Sequence, residues 1–187
     1  MSTKHSKAAA RFIENRKQEA WHDETLWMVR AKRDKMSHSL PEWERLRELA
    51  SDIKLYSNSH LDTLLEEFER NATANGAIVH WAKDAAEHNA IVDEILQQHK
   101  AHTLIKSKSM LTEECGMNDY LFEKGYDIIE SDLGERILQW MKLHPSHIVM
   151  PAIHIKRQEV GEMMERVLGT EKGNSDPTYL THAVRKN

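Results

Sequence analysis

The stretch LIKSKSMLTEECGMN, residues 104–118, places two cations and two hydroxyls directly after a short apolar run. Lys106 and Lys108 alternate with Ser107 and Ser109, and Glu113 and Glu114 follow Thr112. Lysine ammoniums supply compact positive charge. Ser109 or Thr112 can cap the helix that follows, leaving backbone N–H groups and the helix dipole on the same side. That combination suits a carboxylate or a phosphate. The plainer reading of the two glutamates is helical: acidic side chains in a first turn complement the dipole by about 0.3–1 kcal/mol each. The plainer reading of the lysines is a solvated loop.

Two further places carry usable chemistry. Asp132 precedes the apolar-patterned LGERILQWM and can N-cap it, and Glu135, three positions on, can complete a capping box. His154 follows Pro151-Ala152-Ile153. Its side chain titrates near neutrality, so it is either an acid/base or ligand-orienting group or an ordinary loop histidine. The candidate ligand-binding set is Lys106, Lys108, Ser109, Glu113, Asp132, Glu135 and His154. The sequence assigns none of them a catalytic role.

Other chemistries find little support. The chain has twelve histidines, with His144, His147 and His154 close together, but no HExxH and no Cys/His spacing. No metal site is expected. Cys115 is the one cysteine, which excludes an intramolecular disulfide and a cysteine-held iron–sulfur cluster of about four thiolates. Cys115 falls in the first turn of a helix, where it is a low-pKa thiol or, more plainly, a small core residue. There is no GxGxxG, P-loop or GxSxG motif.

The elements that must position these residues follow from periodicity. Residues 1–75 read as two or three helices without strands. Met1–Met36 is charged, with Trp21, Met28 and Val29 as a thin apolar stripe. Pro41 reads as a first helical position, followed by Trp43, Leu46, Leu49, Ala50 and Ile53 at helical spacing. Leu61, Leu64, Leu65 and Phe68 repeat the pattern, and Asn75-Gly76 ends it. From Gly76 onward, four short β-type runs alternate with helices. The runs are 77–81, 101–106, 126–130 and 147–152; the helices are 83–99, 112–124, 133–141 and 156–168. Such spacing predicts parallel strands joined by right-handed crossovers. The expected fold is α/β, a doubly wound parallel sheet with flanking helices, preceded by a helical extension over 1–75 and occupying 76–187. Ligands of such sheets bind beyond the carboxyl ends of the strands, where the candidate residues collect.

A length of 187 residues suffices for a real core, and 40% hydrophobic with 30% charged residues is a soluble composition. The net charge of −4 gives no field attractive to nucleic acid. No apolar run is long enough to span a bilayer, and no signal-peptide core is visible, so the expected location is the cytoplasm.

KSKSMLTEECGMN, ESDLGERILQW (130–140) and HPSHIVMPAIH (144–154) together resemble the LUD-domain family, specifically its B-type lactate utilisation iron–sulfur proteins. VHWAKDAAEHNAIV (79–92), LPEWERLRELASDIK (40–54) and HLDTLLEEFERNA (60–72) fit the same family. The resemblance runs from about Arg11 to the tail. It implies an α/β fold similar to the sugar-phosphate isomerase and CoA-transferase class. It also implies a subunit of a cytoplasmic complex that oxidises L-lactate to pyruvate, with other subunits of that complex as partners. Relatives continue past this sequence into the second half of the domain and a ferredoxin-like segment with cysteine-rich cluster motifs. Iron–sulfur clusters are therefore expected only in that further segment, with no cofactor in this chain. Redox activity from this chain alone is not expected. A half-domain would expose a sheet edge and apolar helix faces, which dimerisation or a partner chain would cover. The competing reading is a non-catalytic module that binds a small carboxylate or phosphate, or docks partner subunits.

Overall fold

The computed structural model of the chain describes residues 2–186. Four helices come first: α1 (Ser2–Glu14), α2 (Arg16–His38), α3 (Trp43–Ser59) and α4 (Leu61–Ala74). There follow α5 (Ala85–Gln98), β1 (Thr103–Lys106), α6 (Met110–Glu114), α7 (Met117–Glu123), β2 (Asp127–Glu130), α8 (Leu133–Met141), α9 (Arg157–Leu168) and α10 (Pro177–Arg185). The chain forms two compact units, one of Met1–Thr25 with Lys83–Asn187 and one of Leu26–Ala82.

The larger unit is built on one β–α–β crossover. β1 and β2 pair in parallel, with Thr103 opposite Asp127 and Lys106 opposite Glu130. The fold is thus α/β with a parallel sheet, as the alternation predicts, but two of the four expected strands form. The run 147–152 turns instead. The Nδ1 atom of His147 accepts the backbone N–H groups of Val149 and Met150 at 3.1 and 3.0 Å. Those are donors that a strand would give to a neighbour. Pro151 has no N–H at all, and its carbonyl accepts the N–H of Ser146 at 3.2 Å, which closes the turn. The run 77–81, in the smaller unit, is irregular. Gly76 takes φ +87°, and the N–H of Ala77 returns to the carbonyl of Ala72 at 3.0 Å. The indole of Trp81 donates to Glu69 on α4 at 3.0 Å, so the segment folds back along its own helix.

The free edge of β2 is closed by a side chain. Gln139 on α8 donates from Nε2 to the carbonyl of Ile128 at 2.6 Å. Its Oε1 receives the N–H of Glu130 in a long contact of 3.5 Å. A glutamine thereby takes two backbone groups that a further parallel strand would engage. The expected single helix over 112–124 is also broken. Gly116 sits in the left-handed region at φ +61° and separates α6 from α7. Asn89 of α5 donates to the carbonyl of Cys115 at that break, at 2.9 Å.

Two apolar clusters hold this unit. Leu96, Met117, Leu121 and Ile128 pack α5, α7 and β2 together. Ile137, Met163, Met164 and Leu180 pack α8, α9 and α10. Asp93, buried on α5, ties the first cluster at its edge. It accepts from Lys124 Nζ at 2.6 Å and from Tyr126 Oη at 2.8 Å. Those two donors hold its carboxyl below the usual carboxylate range. The smaller unit contrasts with this. Neither α3 nor α4 contains a buried residue. Pro41 lies in a turn, and α3 begins two residues later at Trp43.

Candidate functional site

The carboxyl ends of the two strands meet in one ionic knot. Lys106 ends β1 and Glu130 ends β2, directly opposite each other in register. Their side chains alternate to the buried face of the sheet, and Lys106 Nζ lies 2.6 Å from Glu130 Oε1. The same ammonium reaches Glu113 Oε1 at 3.3 Å and Thr112 Oγ1 at 3.2 Å. Asn118 on α7 donates to Glu130 Oε1 at 2.8 Å and to Glu113 Oε1 at 3.4 Å. The lysine side chain is 10% exposed and that of Glu130 only 2%.

α6 reaches this place because Ser109 caps it. The serine hydroxyl accepts the N–H of Thr112 at 3.4 Å, and Glu113 sits in the first turn. α8 is capped likewise by Asp132, which accepts the N–H of Glu135 at 3.1 Å. Glu135 points elsewhere than its cap. It is 6% exposed and lines a cavity of about 580 Å³ beside the knot, together with Glu113, Asn118, Glu130 and Gln139. Exposed Lys142 and His144 line the same cavity. Burial, then the nearby charges of Glu113 and Glu130, pushes the Glu135 carboxyl above the usual range.

The structure thus brings Lys106, Glu113 and Glu135 together, with Ser109 and Asp132 as the caps that aim their helices. Lys108 stands to one side: its ammonium donates to the carbonyl of Val149 at 3.1 Å and lies 3.6 Å from Asp132 Oδ2. His154 is elsewhere. It is 9% exposed, its Nδ1 is 2.7 Å from Ser146 Oγ, and it lines neither large cavity. Burial and then the neighbouring His22 hold its imidazole below the ordinary histidine value. Among the described residues, no group of three or more His, Cys, Asp or Glu could hold a metal ion.

Sequence reasoning missed Glu130, Asn118 and Gln139. Glu130 carried a signal: in DIIE it shares the inward phase of the strand with Ile128, and a charge at an inward position demands a partner. Asn118 and Gln139 carried none, because their role depends on how α7 and α8 dock.

A second cavity, of about 400 Å³, lies against Ile129 and is lined by Arg136, Trp140, Thr181 and Arg185. Arg136 stacks over the Trp140 ring at 4.6 Å and donates to Gln139. Among the described residues, neither arginine has a carboxylate partner.

Glu135 makes the pH response of this site specific. A carboxyl whose folded-state pKa is raised binds its proton more tightly when folded, so stability falls as pH rises from its unfolded value through the raised one. Glu135→Gln should therefore raise the urea midpoint at pH 7 and leave it unchanged near pH 4, with chemical denaturation as the measurement. An equal effect at both pH values would contradict this.

Residues 65–184 match the LUD domain family. The chain is 40% identical over 151 residues to lactate utilization protein B of Bacillus pumilus (strain SAFR-032), a match covering 80% of this chain and 32% of that protein. It is 38% identical over 152 residues to the protein of the same name from Bacillus thuringiensis (strain Al Hakam), covering 81% of this chain and 32% of the relative. The matched segment therefore spans about a third of the length of these curated relatives. No solved structure matches the chain significantly. The LUD-domain match covers more than half of the chain, and the chain belongs to the LUD-domain family.

Proposed function

We propose that this chain acts in lactate utilisation, as the N-terminal portion of a B-type subunit in a cytoplasmic complex that oxidises L-lactate to pyruvate. The observation that carries this reading is the 40% identity sustained over 80% of the chain. Electron transfer by an iron–sulfur cluster would belong to another part of the assembly. Cys115 is the one cysteine here, and a cluster of about four thiolates does not fit the residues present. The share of the work left to this portion is to bind a ligand or to hold partner subunits. No helix among the described residues is long and apolar enough to cross a membrane. Disrupting the gene for this chain should abolish growth on L-lactate as carbon source and spare growth on glucose. Equal growth of disrupted and parent strains on L-lactate would overturn the proposal.

A second reading, a small-anion-binding module, is favoured by a different observation. Lys106 is already enclosed by two carboxylates, and Lys108 is paired with Asp132. Arg136 and Arg185 line the smaller cavity and have no carboxylate partner among the described residues. A planar guanidinium pair there would take a carboxylate or a phosphate. In this reading Arg136→Gln with Arg185→Gln should weaken binding of pyruvate or inorganic phosphate at least tenfold by calorimetry, while Lys108→Ala changes it little. Binding that is insensitive to both arginines would contradict it.

A further inference from the structure

The larger cavity holds acceptors that the protein leaves without donors. Glu130 Oε2, Glu135 Oε1 and Asn118 Oδ1 are all buried and have no hydrogen-bond partner among the described residues. The three residues line the same cavity and come from three elements, β2, α8 and α7. Glu130 is 3% exposed and Glu135 6%. Buried polar atoms are nearly always paired, and leaving a carboxylate oxygen without a donor is costly. Three such atoms around one cavity mark a place built to receive donors.

Charge narrows the class of donor. Glu113, Asp119, Glu130 and Glu135 bring four carboxyls to the cavity, against the Lys106 ammonium paired with two of them and the exposed Lys142 in the lining. An anion would meet an excess of negative charge. A metal ion is not favoured, because among the described residues these carboxyls do not converge as metal ligands. A neutral polyol would satisfy the acceptors and leave the charge uncompensated. A primary ammonium supplies three N–H donors and one positive charge at a single point. A volume of about 580 Å³ exceeds what a bare ammonium ion fills and lies in the range of small-molecule sites. Phe122, Leu138 and Leu143 give the remainder of the cavity an apolar lining.

We infer that Glu130, Glu135 and Asn118 form a subsite for the ammonium end of a small organic amine, with the rest of that molecule lying along Phe122, Leu138 and Leu143. The inference goes beyond the lactate reading and does not depend on it. A bound ammonium would also offset the burial and repulsion that act on Glu135, so binding should draw its carboxyl back toward the usual carboxylate range.

The test is an NMR titration of the 187-residue chain at pH 7 and fixed ionic strength. Ethylammonium is the probe, with propanol and propionate as neutral and anionic comparators. Ethylammonium should give saturable shifts at Glu130, Glu135 and Asn118, and propionate should give none. Glu135→Gln, which removes a charge whose Oε1 has no protein partner, should keep the fold by circular dichroism and weaken ethylammonium roughly tenfold. Asn118→Ala serves as a second variant and should weaken it as well. No saturable ethylammonium shift in the parent chain would overturn the inference. So would propanol binding as tightly as ethylammonium, or tighter binding of propionate. None of these results bears on growth with L-lactate, so the two proposals fail separately.

Discussion

The contact on which the larger unit turns is the one between Lys106 and Glu130. A carboxylate at the inward end of a strand, 3% exposed, would be ruinous without a counter-charge. Parallel pairing brings the counter-charge because Lys106 stands opposite Glu130 in register. A slip of one residue would turn Lys106 to the outer face and strand Glu130. The ion pair thus fixes the register of a sheet only two strands wide, where hydrophobic pairing alone would specify it weakly. Thr112, Glu113 and Asn118 then gather around the same ammonium and carboxylate, so α6 and α7 are positioned by the knot as well as by the apolar core.

The second constraint is the edge of β2. A two-stranded parallel sheet leaves backbone donors and acceptors exposed on both sides. Gln139 satisfies the outer edge of β2 from α8, which also draws Glu135 toward the knot because the two lie four residues apart on one helix. Asp132 fixes where that helix starts. The cavity is therefore a consequence of local rules acting together: two serine or aspartate caps, one left-handed glycine and one glutamine in place of a strand. Its acceptors without a partner among the described residues are Glu130 Oε2, Glu135 Oε1 and Asn118 Oδ1.

Much of this was legible beforehand. The crossover spacing, the Ser109 and Asp132 caps and the Gly76 stop are local signals, and the structure follows them. Lys106, Glu113 and Glu135 could be gathered in advance because strand ends converge by topology. The number of strands could not. HIVMPA is apolar enough to pair, but the His147 ring captures its backbone N–H groups and Pro151 removes another. AIVHW is apolar too, yet the Trp81 indole is held by Glu69. Side-chain capture of backbone groups is invisible to periodicity. The sign of the site was also hidden, because two lysines in KSKS read as free cations until their carboxylate partners are placed. His154 follows a third rule: a histidine near the site in sequence is buried beside Ser146 for reasons of packing.

The most direct test of this account is a double-mutant cycle on the pair, Lys106→Met, Glu130→Gln and both together, followed by urea denaturation. If Lys106 exists chiefly to neutralise Glu130, Lys106→Met alone should cost about 3–5 kcal/mol, since it strands a buried carboxylate. The double variant should then be more stable than Lys106→Met, because no stranded charge remains, and the two changes should couple strongly. Additive costs, with the double variant the least stable of the three, would show that the two residues act independently and would contradict the central place given to their contact.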